Sequence, residues 1–133
     1  LLIWTKSLEF ILKKPFWGWG AATFPEIFLA QTGLWKSHPH NLFFELSISY
    51  GLVTSIIVFL FIGLLILRSS KIISLDFINK DNVEKAWWSS VLIFMVFHLF
   101  DVVYFDLRIS ILFWILLAGL RGILFQSKDF DYR

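Results

Sequence analysis

Residues 50–67 read YGLVTSIIVFLFIGLLIL, eighteen positions without one charged side chain, closed by Arg68 and Lys71. A helix needs about 20 predominantly apolar residues to cross the hydrocarbon core of a bilayer, and this run is long enough. Basic residues at its end suit the membrane–water boundary. The rest of the chain agrees. Of its 133 residues, 58% are hydrophobic and 20% aromatic, above the roughly 45–50% apolar content of a soluble domain. The expected fold class is therefore an all-α membrane protein.

Charge excludes some functions. The net charge is +2 and the pI about 9.0, too small an imbalance to form a nucleic-acid surface. Cysteine is absent, which removes disulfides and thiolate metal sites.

Two further apolar stretches follow. Residues 68–85 form a polar connector, 86–105 a second span interrupted by His98 and Asp101, and 107–125 a third carrying Arg108 and Arg121. The short turn between the last two predicts a transmembrane helical hairpin over 86–125, followed by a tail at 126–133. The connector and tail then share one side and hold Arg68, Lys71, Lys80, Lys85, Arg121, Lys128 and Arg133. The opposite side holds Lys6, Lys13, Lys14, Lys36 and Arg108. The excess of positive residues places connector and tail in the cytoplasm. Residues 1–49 then face outward.

Residues 1–14 predict an amphipathic helix, with Leu1, Trp4, Leu8, Ile11 and Leu12 on one face and Thr5, Lys6, Glu9 and Lys13 on the other. Pro15 and Gly18 stop it. It is too short to span, so it lies at an interface or packs as an ordinary helix. Residues 16–37, broken by Gly18, Gly20, Pro25 and Gly33, are expected to be irregular. Trp17, Trp19 and Trp35 there suit an interfacial aromatic belt or a sugar-stacking surface.

The segment His38-Pro39-His40-Asn41 meets the first span, with Gly51 and Thr54 beyond it. Proline suits the first helical position, which places His40 and Asn41 in the first turn. There the positive end of the helix dipole disfavours a protonated imidazole, leaving His40 neutral as a general base requires. Free N–H groups of the same turn can receive a diphosphate. Both residues serve equally well as helix caps. His40 and Gly51 are eleven residues apart, so on a continuous helix they share a face, and the glycine admits a neighbouring backbone. Glu45 can orient an imidazole, bind a hydroxyl or simply be solvated. A metal held by His38, His40 and Glu45 is less attractive, because no further ligand set follows; no metal or other cofactor is expected. Arg108 can make a bidentate contact to phosphate, or pair with Asp101 and Asp106.

The string His40-Asn41-x9-Gly51-x2-Thr54 is similar to the signature of the O-antigen ligase-like superfamily of ligases, polymerases and related oligosaccharyltransferases. Trp4 followed by Pro15-x2-Gly18-x-Gly20, and the His98-x2-Asp101 hairpin, resemble the same family. The resemblance implies the C-terminal portion of a polytopic GT-C-like helical bundle, here with three transmembrane helices and an outer amphipathic helix and loop. It implies an inverting, metal-independent transferase of the bacterial inner membrane, multi-pass, with its site facing the periplasm. The glycan would pass from an undecaprenyl-diphosphate carrier to an acceptor glycan or lipid A-core. His40 would be catalytic, and His38, Asn41, Glu45 and Arg108 would contact substrate; Gly51 and Thr54 would be structural. The family also places an arginine just ahead of the tryptophan that Trp4 resembles. Its counterpart is expected upstream of Leu1, and without it this segment alone is expected to be inactive. The rival reading is a non-catalytic segment of a polysaccharide transporter or flippase, which would place its polar residues at mid-membrane depth.

Overall fold

A computed structural model describes residues 2–75, 82–102 and 105–130, without the side chains of 75 and 126–130. Lys80, Lys128 and Arg133, used in the orientation argument, lie outside the described residues or side chains. The described chain is helical: α1 (Leu2–Lys13), α2 (Phe24–Thr32), α3 (Leu42–Tyr50), α4 (Leu52–Leu75), α5 (Asn82–His98) and α6 (Leu107–Phe130). It divides into two compact units, Leu1–Phe59 with Phe97–Val102, and Leu60–Val96 with Val103–Arg133.

In the first unit, α1 buries Ile11 of the expected apolar face but turns the rest of its core side toward Phe10. Ser7, Phe10 and Ile11 are buried, whereas Leu2, Leu8 and Leu12 stay exposed. The helix is apolar on two sides, and the core takes the side that carries Phe10. That core is Phe10, Ile11, Phe24, Phe28 and Ile48, with Trp19 and Phe44 packed against it. Phe10 meets Trp19 and Phe24 edge-on at 6.2 and 6.3 Å, a geometry aromatic quadrupoles favour.

The segment expected to be irregular contains α2. Pro25 sits in its first turn and Gly33 ends it in the left-handed conformation, φ 70°, its N–H donating to Leu29 O. Both residues act as helix termini. Read as punctuation of a loop, they hid the nine residues between them.

The helix expected to run unbroken from Pro39 through Gly51 is two helices. Asn41 is the N-cap of α3, and Gly51, at φ 90° and ψ 159°, separates α3 from α4. A break of this kind strands the last carbonyls of one helix and the first N–H groups of the next. The 15–20 loop takes them up. Trp19 N–H donates to Ile48 O at 2.7 Å, Gly20 N–H to Ser49 O at 3.1 Å, and Leu52 N–H to Pro15 O at 2.7 Å. The Thr54 hydroxyl donates to Tyr50 O at 3.0 Å. Glycine is required on both sides of this crossing. A Cβ on Gly51 would strike the Phe16 carbonyl, and one on Gly18 would lie 2.5 Å from Ile48 O.

Among the described residues, two helices are long and apolar enough to cross a membrane, over Leu52–Ser74 and Leu107–Phe125. Their apolar side chains point largely outward: Ile57, Leu60, Phe61, Leu64 and Leu67 on α4, and Ile111, Trp114 and Ile115 on α6, are exposed. The core helix of a soluble protein would bury them, so their exposure suits a membrane protein. The span expected at 86–105 is not confirmed: residues 103 and 104 lie outside the described ones, and α5 has 17 residues, begins at Asn82 with Glu84 and Lys85, and ends at His98. Conversely α4 continues past Arg68 to Leu75, into the stretch read as connector. In the second unit Trp87 Nε1–H donates to Leu116 O at 2.8 Å and its ring lies against Gly119, while Trp88 Nε1–H donates to Ile66 O at 3.1 Å. A small residue admits a large neighbour there, as membrane helices often require.

Candidate functional site

The site lies in the first unit, where the strand of chain 38–41 meets the turn after α5. His40 adopts φ 54°, a left-handed conformation uncommon for a residue with a side chain. Neighbouring bonds hold it there. The indole Nε1–H of Trp4 donates to Pro39 O at 3.1 Å, and the edge of Trp4 packs on Phe44. His40 N–H donates to His38 Nδ1 at 3.3 Å. Asn41 works in both directions: Oδ1 accepts from Phe44 N–H at 3.1 Å, and Nδ2 donates to Leu99 O at 2.9 Å. The cap of α3 therefore also ties it to the turn that carries Asp101. That turn closes through Phe100 and Asp101 N–H groups on Phe97 O.

Asp101 Oδ1 lies 3.1 Å from His40 Nδ1 and 3.7 Å from His38 Nδ1, and also accepts from Val102 N–H at 2.8 Å. An ionised carboxylate can only accept, so His40 Nδ1 carries the proton and the lone pair of the neutral ring is on Nε2. Burial pushes the Asp101 carboxyl up. The Val102 bond, the His40 bond and the two imidazoles outweigh that and hold it below the usual carboxylate value. His38 is lowered, first by burial and then by His40, against an opposing contribution from Asp101. The two rings stand edge to face at 4.3 Å. The His40 side chain is 44% exposed, which leaves a face open to a ligand.

The expected site residues separate into three groups. His38, His40 and Asn41 come together, but His40 precedes the N-cap and does not occupy the first turn of α3. Glu45 is buried elsewhere on α3, its Oε1 accepting from Ser49 Oγ at 2.9 Å. Burial raises its carboxyl, partly offset by that bond. Arg108 belongs to the second unit, where Nη2 meets Asp106 Oδ2 at 3.0 Å and Nε and the backbone N–H meet Oδ1. Those bonds hold the Asp106 carboxyl low. Of the two aspartates offered to Arg108 by the sequence, Asp101 goes instead to the histidines. The partnership of Asp101 with the histidines is what sequence reasoning missed. Its signs were an ionisable group at the edge of an apolar stretch, a position that favours function by default, and the His98-x2-Asp101 resemblance, neither of which names a partner.

The geometry gives the resembled signature a physical meaning. Its nine unspecified positions are the nine residues of α3, bounded by the Asn41 cap and the Gly51 break, and Thr54 takes a carbonyl left over at the break. The Pro15–Gly20 motif supplies the other side of the same junction. Residues 1–59 match the family model for O-antigen ligase. The match ends within α4 and includes the caps, the break, the loop that closes it, and His38 and His40. No curated protein and no solved structure matches the chain. The O-antigen ligase match supports a ligase- or polymerase-type role in polysaccharide assembly, with glycosyltransferase-like activity, in a membrane protein.

Proposed function

We propose that the chain is part of a membrane transferase that moves a glycan from an undecaprenyl-diphosphate carrier to an acceptor hydroxyl on the periplasmic face of the inner membrane. The observation that carries this reading is the His40–Asp101 pair, 3.1 Å apart, with one imidazole nitrogen fixed as donor and the other turned into a base. His40 Nε2 accepts the proton of the acceptor hydroxyl. The oxygen attacks the anomeric carbon in line with the departing lipid diphosphate, inverting it. Asp101 acts through His40, holding the tautomer and compensating the charge that forms on the ring. The N-terminal end of α3, positive by its dipole, and cationic side chains elsewhere in the full protein stabilise the leaving group. No metal enters this sequence of steps. The acceptor is a growing glycan for a polymerase or lipid A-core for a ligase.

Phe16 and Trp17 are largely exposed and belong to the loop bonded to Leu52, the first residue of a candidate span. They suit the lipid–water boundary, and His40, bound through α3 to the same junction, then sits just outside the bilayer.

The test is His40→Ala in the full-length protein. Surface-glycan assembly should fall by about 10²- to 10⁴-fold, the range for removing a general base, with protein abundance unchanged. Wild-type glycan in that variant would overturn the reading.

A further inference from the structure

We propose that His38, His40 and Asp101 bind a divalent transition ion of the zinc type, and that the bound ion switches the site off. One nitrogen of each imidazole and one oxygen of Asp101 lie within 4.8 Å of one another. Asp101 Oδ1 lies 3.1 Å from Nδ1 of His40 and 3.7 Å from Nδ1 of His38, and on binding the ion His38 Nδ1 exchanges the bond it accepts from His40 N–H for the metal. Zinc bonds of about 2.0–2.2 Å in a tetrahedron separate ligand atoms by roughly 3.3–3.5 Å. Both distances are therefore close to the required length, and the His–His edge is at most 4.8 Å. Two imidazoles and a carboxylate suit zinc and its neighbours in softness. Magnesium and calcium need five or more further oxygens that the trio does not supply.

The supports are also present. Val102 N–H fixes the carboxylate, the Trp4 indole fixes the Pro39 carbonyl between the two histidines, and Asn41 ties the two chain segments together. Such contacts orient metal ligands. The Asp101 and His40 side chains are about half exposed, leaving an entry path and a fourth position for water.

Inhibition follows from where the proton goes. An ion at His40 Nδ1 takes the lone pair only when that nitrogen has lost its proton. In the neutral ring the proton is then on Nε2, the atom that serves as base. Metal binding and proton acceptance are mutually exclusive on this imidazole. The inhibitory consequence rests on the sugar-transfer reading; the binding itself does not.

The experiment uses the full-length protein in detergent, stripped with chelator, and titrated with zinc chloride by calorimetry, with metal content measured after gel filtration. One equivalent of zinc should bind in the micromolar range or tighter. Cobalt(II) should give the visible absorption of a tetrahedral site, and magnesium should give no heat. His38→Ala, His40→Ala and Asp101→Asn, each eluting as wild type, should weaken zinc by about tenfold or more. No binding by the wild type, or undiminished binding by the His38→Ala/His40→Ala double variant, would overturn the site. A parallel assay follows glycan transfer with zinc and after its removal by chelator. Zinc bound to the trio without inhibition would retain the metal site and reject His40 as the base. An inactive His40→Ala beside a zinc-indifferent wild type would do the reverse.

Discussion

The first unit and the long helices that follow hold their shapes by different means. All described residues with positive φ, namely Gly18, Gly20, Ala22, Gly33, His40 and Gly51, lie before α4. There the backbone turns sharply and its polar groups are paired by residues distant in sequence, as in Trp4 to Pro39, Trp19 to Phe10 and Asn41 to Leu99. Farther along α4 and in α5, serine hydroxyls bond their own helix, Ser69 to Leu65 O and Ser89 to Lys85 O. Lipid-facing helices satisfy their backbone internally, so their position is set by apolar surface and tolerates change. A folded loop cluster has no such reserve. Each of its turns depends on a particular partner, and that rigidity is what can hold an imidazole and a carboxylate in register.

The sharpest way to break this contrast is with alanine at glycine. Gly51→Ala and Gly18→Ala each add a Cβ against backbone at a left-handed position. Strain and overpacking together should cost about 2–4 kcal/mol. Gly63→Ala and Gly122→Ala, whose Cβ would meet nothing, should be neutral or stabilising by up to about 1 kcal/mol. Thermal unfolding of the detergent-solubilised protein reads both. Equal losses at all four would mean that the crossing of loop and break is not special.

A smaller effect separates the two aspartates. Asp101→Asn leaves a partner that can present its amide N–H to His40, disfavouring the required tautomer. Transfer should drop by about a hundredfold, within the range for general-base catalysis, with little change in acceptor KM. Asp106→Asn, which touches Arg108 at an exposed position, should leave transfer unchanged. If both lose activity alike, the pairing of Asp101 with His40 is not what matters.

The smallest effect concerns Glu45. Its carboxyl is raised by burial from its ordinary value of 4.5, so the folded chain holds the proton more tightly than the unfolded chain. That contribution is complete below the unfolded value and is lost as pH rises through the folded one. Glu45→Gln should therefore melt a few degrees above wild type near pH 8, with the difference closing toward pH 4.5. A constant offset across that range would show that Glu45 is not the titrating group.

Much of the architecture was readable without coordinates. The apolar run at 50–67 marked a helix long enough to cross a bilayer, because it carries eighteen residues without a charge. The Lys13–Gly18 stretch gave the end of α1, and His40 stood out because an ionisable group at a membrane boundary has few inert uses. The reading failed where a local rule had two meanings. Pro25 and Gly33 can interrupt a helix or bound one. Gly51 can sit on a helix face or end the helix, and pattern alone does not distinguish these. The apolar side of α1 was also ambiguous, since both of its sides carry large hydrophobic residues.

By itself the sequence determined what is set by composition and short spacing: helices, a bilayer as solvent, a histidine beside a cap, and nine residues between Asn41 and Gly51. Only the tertiary structure put Asp101, and not Glu45, beside the histidines, and sent Arg108 to Asp106. A spacing of 61 residues between His40 and Asp101 carries no periodicity. The pair meets because the Asn41 amide and the turn after α5 bring two distant segments within a hydrogen bond.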